Sequence, residues 1–489
     1  MISTTGFPGR HSVALLVLLT HAAWAGAQTA EPGTRPGPAG RLVSLSAATL
    51  AAGEAAQGPP AGPAQPGPAA IRLSLHDAIE RGLAHSLAAL LSEQRTRQAE
   101  AGRWTALGGL LPNVSATLMG ATEKINLEAY GFPVAPGESP LIGPFNISDR
   151  RLAVEQTLFS WSAIEAARSG SARLSAAEYA HKDVREQIVV AVTGGYLQLI
   201  ATRARIQAAH ALLDTALALE QRAMALKEAG VAAGVETVRA QVQTAQERQR
   251  VLVFENEFEK QKLQFARAIG LPLDQAIELT ESFPYASLDT KSPADAIAQA
   301  LATRPDYKAA AESLRAAELS RAAAIGSMLP SVALAADVGM IGQSWGSALK
   351  TYSVVIAVHV PVFQAGHERA RIIGADATLQ QERAQLTDLK ARIEYDVRAA
   401  LLDVGSSGQR VEVALRGFDL AKLQLTQAQD RFSAGAATHV EVIQAQDAVA
   451  TAAENLIASR FANSLSKGAL ARALGVAESS AERFLGGQQ

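Results

Sequence analysis

From Trp161 to Ala229 the sequence is rich in alanine and holds no proline, so it reads as one helix of about 69 residues. At 1.5 Å per residue that is roughly 100 Å of helix. Such a rod does not fit inside a compact globule, and it needs other helices beside it along its length. Gly366 to Ser433 reads the same way. Its apolar stripe of Leu379, Leu386, Leu389, Ile393, Val397, Leu401 and Val404 steps by threes, fours and a seven, the spacing that lateral helix packing requires.

Both long stretches end in nearly the same words. Residues 229–241 read A-G-V-A-A-G-V-E-T-V-R-A-Q, and residues 434–446 read A-G-A-A-T-H-V-E-V-I-Q-A-Q, an offset of 435 − 230 = 205. Each copy lies between a long helix and a shorter one, and so reads as the tip of a helical hairpin. Gly230 and Gly435 suit the left-handed residue that ends a helix. Glu236 and Glu441 sit just inside the next helix, where a carboxylate meets the positive end of the dipole.

The duplication extends beyond the tips. Asp77-Ala78-Ile79 returns as Asp295-Ala296-Ile297, and Leu111-Pro112 as Leu329-Pro330, both at an offset of 218. Phe159 is answered by Phe363 at 204, and Ala268-Ile269-Gly270 by Ala473-Leu474-Gly475 at 205. The drop of 218 − 204 = 14 places a longer loop in the first copy, about Thr122 to Phe145. After each Leu-Pro the apolar period changes from helix to strand. Val114, Ala116 and Leu118 alternate with Asn113, Ser115 and Thr117, and a second run covers Arg151–Leu158. In the second copy Val332, Leu334, Ala336, Val338 and Met340 alternate with small or polar residues, as do Tyr352, Val354, Ile356, Val358 and Val360. About ten residues with one apolar face is the length and pattern of a tilted strand that crosses a bilayer. The shorter helices, about 74–109 and 235–270, would match one long helix if stacked end to end, and about 293–327 and 437–474 repeat the arrangement. Gly194-Gly195, Gly405 and Gly408 fall mid-helix, where close packing, a soft bend or simple tolerance all remain open.

Segment by segment, the expectation is a signal peptide at 1–27, a flexible Pro/Gly/Ala-rich leader at 28–72 and a first repeat at 73–270 with strands at about 111–121 and 150–159. An inter-repeat segment at 271–292, a second repeat at 293–475 with strands at about 329–340 and 351–363, and a tail at 476–489 follow. Arg10, the apolar run Val13–Leu19 and the small residues Ala23-Trp24-Ala25 and Ala25-Gly26-Ala27 carry the export reading. After residue 30 no run of roughly 20 apolar residues exists, so any span of the membrane is expected as β-structure.

Composition removes other classes. The 489 residues contain no cysteine, which excludes disulfides, thiol nucleophiles and thiolate metal sites. A net charge of −2 gives no case for nucleic acid. There is no H-E-x-x-H, P-loop, G-x-S-x-G or dinucleotide fingerprint, and Ser464-Leu465-Ser466-Lys467 matches S-x-x-K without its companion motifs. The nine histidines are scattered. No catalytic residue, cofactor or metal is expected. A soluble periplasmic coiled-coil adaptor or scaffold is the competing reading.

With its Leu-Pro steps, the Leu158-Phe159-Ser160 and Pro361-Val362-Phe363 strand ends, the paired tips and the Ala-[Ile/Leu]-Gly helix ends, the chain resembles the TolC-like outer-membrane factors over about residues 73–477. The resemblance implies a mainly α fold with a small transmembrane β part. It implies a duplicated helix–strand–strand–long helix–helix repeat and a homotrimer whose strands form a 12-stranded β-barrel above a periplasmic α-helical tunnel. It implies an exit duct for efflux or type I secretion in the outer-membrane lipid of a Gram-negative bacterium, served by a periplasmic adaptor and an inner-membrane pump. The tips Gly230, Val231, Gly435 and Ala436 would dock the adaptor. Glu441, Gln444, Phe432 and Glu236 would surround the periplasmic aperture. Glu441 matches an acidic-ring position, and Gln444 replaces a second acid. Phe432 stands for a linking Tyr and Ala437 for an Arg, while Glu236 matches the partner acid, so a polar lock is mostly absent. Glu236 and Glu441 also fit plain helix-start acids.

Overall fold

The computed structural model describes residues 70–230, 233–281 and 292–480. The expected signal peptide, the leader through residue 69, Val231, residues 282–291 and residues 481–489 lie outside the described residues. The first repeat contains α1 (Leu75–His85), α2 (Leu87–Gly108), β2 (Asn113–Asn126), β3 (Leu141–Phe159), α3 (Trp161–Glu228) and α4 (Gly234–Ala268). The second repeats the order with α5 (Pro293–Thr303), α6 (Pro305–Gly326), β5 (Ser331–Gly342), β6 (Leu349–His359), α7 (His367–Ser433) and α8 (His439–Ala473). Two short strands, β1 (Ile71–Leu73) and β4 (Ile277–Leu279), pair in parallel.

The long helices have 68 and 67 residues, and their starts follow from the residues around them. Ser160 caps α3, accepting the Ala163 N–H at 3.2 Å. Of the four shorter helices expected, those at about 74–109 and 293–327 are each broken once, whereas α4 and α8 run unbroken. Ser86 ends α1 in an extended conformation and caps α2 by accepting the Ala89 N–H at 3.2 Å. In the second copy Pro305 opens α6, and a residue before proline is pushed out of helical geometry, so α5 stops at Arg304. Ser74 and Asp77 form a reciprocal capping box at the start of α1. Strand β1 begins inside the stretch that composition marks as leader. Its Leu73 is fully buried and its backbone partners are supplied by β4, far away in sequence.

The four long strands form one antiparallel sheet in the order β2-β3-β5-β6, leaving β2 and β6 as open edges. The first hairpin is longer than its alternation suggested. Pairing continues to Asn126↔Leu141, past a register shift between Glu123 and Ile125, where Pro144 has no N–H to give the ladder.

On the sheet side, the helices stand in the lateral order α2–α3–α6–α7; toward the tips the order is α4–α3–α8–α7. α3 and α7 run through both halves, and the shorter helices change beside them. The waist between the halves holds the main core. Leu73, Ile79, Val192, Tyr196, Leu197, Ile200, Phe265 and Ile269 form one cluster, and the Tyr196 hydroxyl donates to the Leu73 carbonyl at 3.0 Å. Gly195 lets the Phe265 ring close on α3, since a Cβ there would lie 3.0 Å from it. Ala296, Ala300, Ile393, Val397, Val404, Leu470 and Leu474 make the matching cluster of the second repeat. Burying a Leu or Ile fully is worth about 1.5–3 kcal/mol, so these clusters anchor the otherwise thin layer.

Candidate functional site: the hairpin tips and the four-stranded sheet

The two tips turn in the same way. Gly230 and Gly435 both have φ of 72°, which a residue with a Cβ adopts only under strain. In the second tip the Gly435 N–H bonds the Phe432 carbonyl at 3.1 Å and the Ala436 N–H bonds the Arg431 carbonyl at 2.8 Å. This double closure satisfies the last carbonyls of α7. Gly230, Gly435 and Ala436 are exposed at the ends of the hairpins.

The four aperture candidates fall into two groups. Glu441 pairs with Arg431 across the tip, Nη1 to Oε1 at 3.1 Å, with both side chains largely in solvent. Its charge is therefore offset by a cation that sequence reasoning had left out. Gln444 is exposed one turn further on. Phe432 and Glu236 instead meet through a residue not singled out from sequence, His439. The imidazole is 4% exposed, and neither ring nitrogen has a hydrogen-bond partner. Phe432 lies against it with ring centroids 5.7 Å apart, and the Arg222 guanidinium sits 5.3 Å from the Phe432 ring. Glu236 gives one oxygen to Arg239 at 2.6 Å, while its Oε2 is buried without a hydrogen-bond partner. Burial pushes the His439 pKa below its ordinary value, against the pull of Glu236 and with the help of Arg239. Leu219, Leu425, Ala428, Val442 and Ala445 complete the apolar packing of this joint. Helix α8 copies α4 at an offset of 439 − 234 = 205, so His439 stands where the first tip has Gly234. That mismatch inside a shared motif was the available signal.

At the other end the sheet separates two kinds of surface. Leu118, Leu152, Val338, Tyr352, Val354, Ile356 and Val358 lie on one face and are 46–82% exposed. The opposite face carries Asn113, Ser115, Thr117, Asp149, Arg151, Glu155, Asp337 and Ser353, with Arg151 bridged to Asp149 and Asp337. An exposed apolar face this continuous asks for lipid, and the polar face for water. Among the described residues no helix is long and apolar enough to cross a membrane.

The family described as outer membrane efflux protein matches residues 296–476, the second repeat. The pyoverdine export outer membrane protein OpmQ of Pseudomonas aeruginosa is 26% identical over 416 residues, 82% of this chain and 85% of its own. The outer membrane protein VceC of Vibrio cholerae superposes with a TM-score of 0.71 at 20% identity, over 82% of this chain and 96% of its own. The outer-membrane channel OprN superposes equally well, at 21% identity over 82% and 89%. The second repeat thus matches the outer membrane efflux protein family, and the chain is similar to such proteins over most of its length. The matched family and the structural neighbours are outer-membrane efflux channels and not enzymes, and the fold of this chain agrees with a place in the outer membrane with its helical part in the periplasm. The TolC-like resemblance and the mainly helical fold with a small β part stand.

Proposed function

We propose that this chain acts as a homotrimer, the passive exit duct of a tripartite system with a periplasmic adaptor and an inner-membrane pump. The observation that carries the trimer is that every tier of the protomer ends in two different, unsatisfied edges. The sheet ends in β2 and β6, the sheet-side helices in α2 and α7, and the tip-side helices in α4 and α7. The helical edges are greasy where they have no neighbour. Val235, Val238, Val242, Leu252 and Val253 on α4, and Leu402, Val413, Leu420 and Leu423 on α7, are all more than half exposed. Counted from the tips at 1.5 Å per residue, the two stripes overlap in height between about 15 and 30 Å. One edge of a copy thus fits the opposite edge of the next, a head-to-tail contact that closes into a ring. Three copies of a four-stranded sheet give a 12-stranded barrel without open edges.

In this ring the apolar sheet face meets outer-membrane lipid, and the tips, with Gly230, Val231, Gly435 and Ala436, meet the adaptor. Glu441, Gln444, Phe432 and Glu236 surround the periplasmic aperture, where Phe432 supplies packing and the Arg431–Glu441 pair leaves little free acid. A soluble adaptor would have no use for the apolar face of the sheet. The test is membrane extraction followed by gel electrophoresis without heating. A heat-sensitive trimer from the outer-membrane fraction is expected; a soluble periplasmic monomer would overturn the reading.

A further inference from the structure

His439 is the most confined titratable group of the tips. Its ring is shut between the two hairpins with Phe432 of α7 against it, and both ring nitrogens are without hydrogen bonds. A neutral imidazole in such a place leaves one N–H unsatisfied, and an imidazolium leaves two together with a desolvated charge. The groups that could receive that charge are few. From α4, Glu236 attracts and Arg239 repels, and Glu236 is already engaged with Arg239 through one oxygen. From α3, Arg222 lies over the Phe432 ring and adds a second cation nearby. From α7, Arg431 is held by Glu441 of α8 itself. Two cations and one shared acid make a poor host for a third cation. The contacts beneath it, Leu219 of α3 with Leu425, Ala428, Val442 and Ala445, are apolar.

We propose that His439 is a proton-operated latch. With the ring neutral the second hairpin lies shut against the first; a proton on the ring parts them and widens the periplasmic mouth. The sign follows from linkage. The packed state depresses the pKa, so its stability is complete above the ordinary histidine value near 6.5 and is lost as pH falls below it. Each unit of depression changes the ratio of shut to parted tips by about tenfold between the two limits.

The latch rests on the exit-duct reading, and the experiment separates the two. The purified trimer is placed in planar bilayers and its open probability is followed from about pH 7.5 to 5. Wild type is expected to rise several-fold, and His439→Phe, which keeps a ring against Phe432 but takes no proton, to stay flat. Glu236→Gln keeps the histidine and removes a carboxylate that eases a proton onto it in the packed state, so its rise on acidification is expected to be larger than in wild type. Because the chain has no cysteine, spin labels at Glu228→Cys and Ala434→Cys report the two tips directly; their separation should grow on acidification in the otherwise wild-type trimer and not with His439→Phe. An acid response that survives in His439→Phe, a flat wild type, or a wild type that closes on acidification would each overturn the latch. Absence of any channel at any pH would overturn the duct itself.

Discussion

Arginine placed at Val354 and, separately, at Val355 sets the two faces of the sheet against each other. The residues are identical and adjacent, and Val354 is the sixth of eleven residues in β6. Val354 pairs with Ala336 on the exposed apolar face, and Val355 pairs with Ala335 on the face that carries Glu155 and Asp337. An arginine facing lipid at mid-bilayer costs about 2–4 kcal/mol. In a trimer every barrel carries three such residues, so the summed cost is roughly 6–12 kcal/mol. An arginine at 355 points into water and finds acids on neighbouring strands, so its cost should be near zero. The assay is urea-dependent folding into lipid vesicles, read as the fraction of heat-sensitive trimer. Val354→Arg should lose most of its trimer at urea concentrations where Val355→Arg and wild type keep theirs. If Val355→Arg is the more damaging variant, the faces have been assigned backwards and the lipid-facing argument falls.

Other expectations follow from single contacts. Gly435→Val forces a β-branched residue to φ near 72°, at about 1–3 kcal/mol; the tip should loosen and adaptor binding weaken, and unchanged pull-down of the adaptor would count against tip docking. Glu441→Lys removes an exposed pair worth under about 1 kcal/mol, so the trimer should stay as stable as wild type. It should nonetheless move the reversal potential toward anions, and an unmoved potential would place Glu441 away from the narrow mouth. Arg304 is 5% exposed and bonds Asp306 and Asp396, so Arg304→Ala should cost about 3–5 kcal/mol at neutral pH in denaturant titration. Burial pushes the Asp306 carboxyl up, yet the Arg304 hydrogen bond and charge outweigh it and hold the carboxyl low. The wild-type ion pair therefore adds stability above about pH 4 that is lost on further acidification, whereas the variant, lacking that pair, should lose less stability on the same acidification.

Much of the architecture was legible because it is repeated. A proline-free stretch of tens of residues has one regular solution, and a period change after each Leu-Pro has another. When both occur twice in the same order, each copy supports the reading of the other. The breaks in the shorter helices were harder to see, although Pro305 signals one of them directly. The break at Ser86 is quieter, because serine is tolerated inside helices and becomes a cap only when the chain bends around the waist. Strand β1 was hidden for a different reason. Three residues have no period, and Ile71–Leu73 becomes a strand only through a partner about two hundred residues away.

At the mouth, alignment of the two tips found the turn residues and the acids but not the partners of those acids. Glu441 was read as an acidic-ring position or a helix-start acid; in the structure Arg431, ten residues before it and across the turn, offsets its charge. Such a pair has no helical spacing and no motif, so only the closed tip reveals it. His439 illustrates the opposite failure. It was visible as the one imidazole inside a duplicated phrase whose other copy has glycine, but a histidine gains meaning only from its burial, and burial here comes from Phe432 on one side and the first hairpin on the other. The two copies agree wherever the chain needs a turn and differ where one hairpin must close on its neighbour. In a duplicated channel the departures from the repeat, more than the repeat itself, therefore mark the residues able to make the two hairpins move independently.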